Sequence, residues 1–594
     1  MEACEVRLEE GEAASGLFPH RTVRGGQERF LEDARMCMAQ RSHLLAHAPT
    51  GLGKTAVALT AAVETAREDG GTVLFLTSRQ SQHAIAVETV RGIWKKGRIG
   101  VVDLIAREDM CLARREGRRV PCSDGRKCFF DRDPEGSQGL LLDYPLHSQE
   151  ATRLCLRNGH CPYRVAVRAA AEAAVIIGDY NQMFCRGPNL LQRLGRREGG
   201  AIVIVDEAHN LPSRVMGGGS GSLTPASIRA ARAHPSLKHF AEDLDLIAEV
   251  FRRLASKRPG RLRAQDLDSP LKEVCGVDAS GLAEEIEAAS HGAELDGLTG
   301  FLYAWGAPDA STVRYIEGDP PRLVVSLIDP SVVTAPVLAR VRSALLMSGT
   351  LHPPEMFAEV LGAEGAVCRR YPSPFPSENR LVLASGGVSS RFRLRTPAMY
   401  GSVAREIAGC AGAVPGNVAV FFPSYEFMGK VEPLVAQMVK DRRMLVERKE
   451  HGKNERDAVL CQLREGKSLL MGTISGSLSE GVDFRDNLLG AVIVVGLPLA
   501  PPSREMDAKM ERMGRRFGPR KAELYVQVYP AVARVLQAAG RAIRGEKDRA
   551  AIVLLDDRYL APSLRAAFPD DFEIERAGDL RSALSAFYSK GGAP

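Results

Sequence analysis

One short stretch constrains the fold of this chain more than any other. Ala48-Pro49-Thr50-Gly51-Leu52-Gly53-Lys54-Thr55 follows the apolar run Leu44-Leu45-Ala46 and opens a helix-like run from Ala56 to Ala66. Strand, glycine-rich loop and helix, in that order, are the context of a phosphate-binding loop. Gly51 and Gly53 let the backbone curl so that successive N–H groups face an anion. The helix N-terminus behind them adds partial positive charge. Lys54 would reach the β- and γ-phosphates, Thr50 lies in the same loop, and the Thr55 hydroxyl would hold Mg²⁺. The reading is an α/β fold that binds ATP and Mg²⁺.

Further strands carry complementary chemistry. Ala201-Ile202-Val203-Ile204-Val205 is a continuous apolar run behind Gly199-Gly200, the pattern of a central parallel strand. It ends in Asp206-Glu207-Ala208-His209. Two carboxylates at the carboxyl end of a strand suit Mg²⁺-assisted phosphoryl transfer. Asp206 would bind the metal through water, and Glu207 would orient and deprotonate the attacking water. Val73-Leu74-Phe75-Leu76 is another buried strand, and Thr77, Ser78, Arg79 and Gln82 at its end are candidates for gripping a strand backbone. Leu345-Leu346-Met347 ends in the small residues Ser348-Gly349-Thr350. Arg24-x-x-Gln27 stands upstream of the loop, where a Gln amide can read the edge of adenine.

A second α/β set follows: Val418 to Tyr425, the loop Ser479-Glu480-Gly481-Val482-Asp483-Phe484, the strand Ala491 to Val495, and Gln537-Ala538-Ala539-Gly540-Arg541-Ala542-Ile543-Arg544. On a helix, positions 537, 541 and 544 fall within about one 60° sector. Gln537, Arg541 and Arg544 are therefore expected on one helical face, with two arginines suited to stabilising transferring phosphate. Between the two sets, Met216 to Pro321 reads as an insertion. It opens on a flexible junction, Gly217-Gly218-Gly219-Ser220-Gly221, and carries an apolar stripe from Phe240 to Leu254 at helical spacing.

A length of 594 residues suggests about four domains. The net charge of +6 permits a nucleic-acid partner but requires any binding surface to be local. The acidic N-terminus lacks a signal-peptide core, and the longest nearly apolar run, Leu488 to Pro502, is too short for a membrane span. A cytoplasmic protein with no membrane partner is expected. Five of the twelve cysteines, Cys111, Cys122, Cys128, Cys155 and Cys161, fall within 51 residues. In a cytosolic chain such a group reads as metal or cluster ligation. Gaps of ten, five and thirty-two residues, leaving out Cys155, fit a cluster pocket built from distant loops better than a zinc finger, with zinc as the alternative. Between Cys111 and Cys128 the local charge is +4, which suits a place beside a polyanion.

Together these motifs, with Phe18-Pro19, Ser373-Pro374-Phe375-Pro376 and Phe421-Phe422-Pro423-Ser424-Tyr425, resemble the XPD/DinG family of superfamily-2 helicases. They stand in the family's order across nearly the whole chain. Ala48, where glycine is commoner, is a departure shared by superfamily 2. Asp329-Pro330-Ser331 and Asp179-Tyr180-Asn181 look more like archaeal XPD than bacterial DinG. The resemblance implies two RecA-like parallel-sheet motor domains, with an Fe–S domain and a helical arch inserted in the first. The implied divisions are helicase domain one at 1–104, 166–215 and 321–365, an Fe–S domain at 105–165, an arch at 216–320 and helicase domain two at 366–594. The family's four ligands of a 4Fe–4S cluster fall on Cys111, Cys122, Cys128 and Cys161, leaving Cys155 surplus. His20 replaces the aromatic residue usual after Phe-Pro, and Thr77-Ser78-Arg79-Gln80 departs from the usual Thr-Arg-Thr.

The implied activity is ATP-driven 5′-to-3′ translocation on single-stranded DNA with unwinding of forked DNA, in DNA repair. A monomer is expected, with single-strand DNA-binding or repair proteins as partners. The alternatives are a translocase that verifies damage with little unwinding, an RNA-acting enzyme, and a cluster-bearing DNA-binding scaffold. The scaffold is disfavoured because Lys54, Asp206, Glu207, Arg541 and Arg544 are all present.

Overall fold

A computed structural model describes residues 16–23, 26–111, 137–185, 187–256, 260–290, 296–476, 478, 484, 487–543, 545 and 547–590. The strands run, in chain order, β1 (Leu44–His47), β2 (Thr72–Thr77), β3 (Val101–Asp103), β4 (Val175–Asp179), β5 (Ala201–Asp206) and β6 (Gly221–Leu223). They continue with β7 (Arg261–Leu262), β8 (Thr312–Glu317), β9 (Arg322–Leu327), β10 (Ser343–Ser348), β11 (Val367–Arg370) and β12 (Arg380–Ser385). The last six are β13 (Asn417–Phe422), β14 (Arg443–Val446), β15 (Ser468–Thr473), β16 (Leu489–Val495), β17 (Ala550–Leu555) and β18 (Glu575–Ala577).

Two seven-stranded sheets dominate, ordered β11-β1-β10-β5-β2-β4-β3 and β14-β15-β13-β16-β17-β12-β18. The pairings within each are parallel. A parallel sheet is covered on both faces, which is why its strands are near-continuous apolar runs. In β2, Leu74 and Leu76 enter one core while Val73 and Phe75 enter the other. The helix Lys54–Asp69 buries its alanines and valines on the second of these cores. This is the α/β architecture with two RecA-like sheets expected above.

The insertion read as a helical arch also carries a sheet. Its helices, among them Ala241–Ser256 with Leu244, Ile247, Phe251 and Leu254 buried, share a core with a four-stranded antiparallel sheet, β6-β9-β8-β7. The hairpin β8–β9 carries that sheet to Leu327, past the boundary expected at 320. The turn around Gly318, at φ 84°, reverses the hairpin. The glycine-rich segment after Met216 is also not a flexible junction. The helix Leu211–Gly218 runs into it and β6 starts at Gly221. A Cβ on Gly219 would collide with the Leu327 side chain, and one on Gly221 would lie 2.8 Å from the Phe301 backbone. Close packing, not mobility, demands glycine here.

Candidate active site

Parallel register brings three strand ends level. His47 of β1 pairs with Ser348 of β10, and Met347 of β10 pairs with Asp206 of β5. The residues just beyond these ends therefore meet at the carboxyl edge of the first sheet, where ligands of open α/β sheets bind.

The loop between β1 and the helix Lys54–Asp69 has Gly51 at φ 89° and Gly53 at φ 73°, the left-handed region that glycine alone adopts without cost. Both are also crowded: a Cβ on Gly51 would strike the Phe375 ring, and one on Gly53 would strike the Gln27 amide. Gln27 is buried and donates from Nε2 to the Leu52 carbonyl at 2.9 Å, so it braces the loop. Lys54 Nζ lies 3.4 Å from the Pro49 carbonyl.

Asp206 is buried at the end of β5 and accepts the Glu207 N–H at 3.0 Å. Glu207 has φ 50°, a rare conformation for a residue with a side chain. Its Oε2 accepts from Ser348 Oγ at 2.9 Å and lies 3.3 Å from His209 Nδ1, which is itself 2.7 Å from that hydroxyl. Burial, followed by the Glu207 charge, pushes the Asp206 carboxyl upward. Burial also opposes ionisation of Glu207, but the hydrogen bond and charge of His209, the charge of Lys54 and the Ser348 hydroxyl hold it well below the usual range. The pair thus presents one firmly ionised carboxylate beside one that gains from a cation.

A single cavity is lined from both domains: Pro49, Thr50 and Glu207 from the first, Phe375, Gln537 and Arg541 from the second. Gln537 lies in the helix Tyr529–Ala539. Arg541 is not on that helix, contrary to the expected shared face. The helix ends at Ala539, Gly540 caps it, and Arg541 sits in the following turn, where it is 9% exposed. Glycine lacks the side chain that would continue the helix cheaply. Arg24, Asp483, Arg544, Cys122 and Cys128 lie outside the described residues.

Two family models match: a helicase C-terminal domain over residues 407–574 and DEAD_2 over residues 77–228. The chain is 24% identical to "ATP-dependent DNA helicase XPD" of Sulfolobus acidocaldarius, over 90% of this chain and 96% of that one. It is 29% identical to "Putative ATP-dependent DNA helicase DDX11-like protein 8" of Homo sapiens, over 48% of this chain and 34% of that protein. The chain thus spans about a third of that human relative. Among solved structures, "XPD_Helicase" superposes with a TM-score of 0.65 at 20% identity, over 94% of this chain and all of that one. The DEAD_2 and helicase C-terminal matches, with the XPD and DDX11-like relatives, support an XPD/DinG-type superfamily-2 helicase. Relatives of this kind, named as ATP-dependent, imply ATP and Mg²⁺ as ligands.

The family's cysteine region is partly described. Cys111 caps the end of the helix Arg107–Met110 and Cys161 precedes the helix Pro162–Glu172, both half-buried. The first of these helices packs on the second. Cys155 is fully buried in the apolar core, and burial, then the neighbouring Cys161, pushes its thiol up to about 11. Among the described residues no group of three His, Cys, Asp or Glu side chains is placed to hold a metal ion.

Several site residues escaped the sequence reading. Tyr180 is buried beneath the carboxylates and donates from Oη to the Glu207 carbonyl at 2.9 Å and to that of Asp206. Only its Asp-Tyr-Asn setting marked it. His47 lines the cavity, and burial, then the nearby His352 and Lys54, pushes it down to about 3, so it faces the cleft neutral. Glu447 is fully buried and accepts the N–H groups of Thr473 and Leu478, at and just beyond the end of β15. Thr77 and Gln82 bond each other rather than facing outward.

Proposed function

We propose that the chain is an ATP-dependent DNA helicase that moves 5′ to 3′ on single-stranded DNA, separates duplex at a fork and serves DNA repair. The observation that carries this reading is the cavity that joins the phosphate loop and Glu207 of one parallel sheet to Gln537 and Arg541 of the other. A site shared between two domains changes shape with the nucleotide, which is what a motor needs. The names of the relatives, DNA helicases that depend on ATP, support the same reading.

In this scheme the loop amides from Gly51 to Thr55 and the Lys54 ammonium bind phosphate, with Gln27 and Arg24 at the base. Thr55 and Asp206 would hold Mg²⁺, which when bound neutralises charge on the phosphates. Glu207, ionised and aimed by Ser348 and His209, takes a proton from the attacking water. Arg541 and Arg544 meet the γ-phosphate charge as the domains close. Asp483 and Gln537 of the second domain would contact the bound nucleotide. Cys111, Cys122, Cys128 and Cys161 would hold a 4Fe–4S cluster. Cys111 and Cys161, both partly exposed at helix ends, fit such ligands better than the core residue Cys155. The division into two motor domains, an Fe–S domain at 105–165 and an arch follows from the same reading.

The test is ATP hydrolysis with and without single-stranded DNA, for wild type and Lys54→Ala. DNA-stimulated turnover in the first and none in the second is expected. Turnover that survives in Lys54→Ala would remove the loop from the mechanism, and wild type without turnover would favour the scaffold.

A further inference from the structure

Away from the cleft, the second sheet holds an exposed aromatic side chain on a fixed base. The segment 386–396 leaves the carboxyl end of β12 and makes one helical turn, Phe392–Leu394, in which the Leu394 N–H donates to the Arg391 carbonyl at 2.8 Å. Phe392 is 82% exposed. The base beneath it is held by hydrogen bonds to the turn after β17. The Ser390 N–H and hydroxyl donate to buried Asp556 at 2.9 and 2.7 Å. Ser389 and Arg391 both donate to Asp557, at 2.9 and 3.0 Å. The Arg395 guanidinium lies 5.4 Å from the Phe392 ring and 5.3 Å from the ring of Phe427, in the first turn of the helix Tyr425–Met438 after β13.

An aromatic ring presented to water on a hydrogen-bonded base offers a face on which a planar, partly apolar group can stack. Charge identifies it. Arg391, Arg393 and Arg395 flank the ring; Asp557 pairs with Arg391, and the segment 386–396 itself contains no Asp or Glu, so the border of the ring stays net positive. Alternating arginines and an aromatic face match a polyanion with open π-faces, which is a single strand and not a duplex, whose bases are stacked on each other. A protein partner fits less well, since stable protein interfaces bury upward of about 1,000 Å². The exposed large apolar side chains of this segment are Phe392 and Leu394 alone.

We propose that Phe392, framed by Arg391, Arg393 and Arg395, is a stacking platform for one base of single-stranded DNA at the carboxyl edge of the second sheet. The inference rests on the reading of the chain as a DNA motor.

Fluorescence anisotropy of a labelled oligothymidylate titrated with the full-length protein, without nucleotide, tests it. Phe392→Ala should weaken binding roughly tenfold to a hundredfold, Phe392→Trp should restore it, and the melting temperature should be unchanged in both. Arg393→Ala should flatten the dependence of log affinity on log salt by about 0.7. Wild type that fails to bind the oligonucleotide would sink the parent reading. Wild type that binds, with Phe392→Ala equally tight, would overturn this proposal, as would a parallel loss of affinity for a blunt duplex of the same length.

Discussion

Glu207 stands at φ 50° and ψ 42°, a conformation that costs a side-chain-bearing residue on the order of 1–3 kcal/mol. The Tyr180 hydroxyl, donating to the carbonyls of Asp206 and Glu207, offsets that cost and fixes the turn. Tyr180→Phe removes only that hydroxyl. A hydrogen bond worth about 1–1.5 kcal/mol predicts roughly a tenfold fall in ATP turnover with little change in KM. Steady-state kinetics decide it, and an unchanged kcat would make Tyr180 a packing residue. His83 gives a pH signature. It is fully buried and 2.6 Å from Asp103, whose second oxygen accepts the Ser148 N–H at 2.8 Å. Burial opposes its charge, but the hydrogen bond to Asp103 and the carboxylate of Asp179 raise it to about 9. A raised value stabilises the fold fully below the unfolded value of about 6.5 and loses that contribution as pH rises through about 9. Denaturant titration should find the difference in stability between wild type and His83→Gln shrinking across that window, by about 3 kcal/mol. A difference independent of pH would mean that His83 is neutral throughout.

At the scale of elements, the helix Arg504–Phe517 ties the domains together. Its Arg512 and Arg516 donate to the fully buried Asp329 at 2.8 and 2.7 Å, and Arg516 also reaches the Glu359 carbonyl at 3.0 Å. Asp329 belongs to the first domain, between β9 and the helix Ser331–Arg340 that leads to β10. Truncating a partner of a buried carboxylate costs on the order of 3–5 kcal/mol, because the remaining charge stays desolvated. Arg516→Ala should therefore lower the unfolding free energy by about 3 kcal/mol, less than the full range because Arg512 remains. Calorimetry indistinguishable from wild type would show the latch to be idle. The cysteine helices make a second prediction at this scale. Cys111→Ser should lose iron, about four per chain in wild type, together with unwinding, while keeping part of the ATPase. Cys155→Ser should keep its iron, since Cys155 lies in the apolar core. Iron analysis that gives the reverse pattern would exchange the two residues as ligands.

For the whole molecule, the proposed function turns on two sheets that share one cavity and on an insertion with its own core. A fork carrying only a 5′ single-stranded tail should be unwound at least tenfold faster than one with only a 3′ tail, a strand-displacement assay being the measurement. Equal rates would remove the direction assigned here, and no unwinding with intact ATPase would favour the damage-verifying translocase. Much of this architecture was legible in the chain itself. The buried strands β1, β2, β5, β10, β13 and β16 are apolar because both faces of a parallel sheet are covered, and the phosphate loop, Asp206-Glu207 and Gln537 follow or flank them at short range. Such features are local, so periodicity and glycine placement reveal them. What only the tertiary structure decided is non-local. Gly219 and Gly221 are small because Leu327 and Phe301, far off in the chain, crowd them. Arg541 leaves the helical face because Gly540 ends its helix. Tyr180, His47 and Asp329 matter through partners 26 to 305 residues away. No spacing in a sequence records such a partner, because its place is set by how the sheets stack.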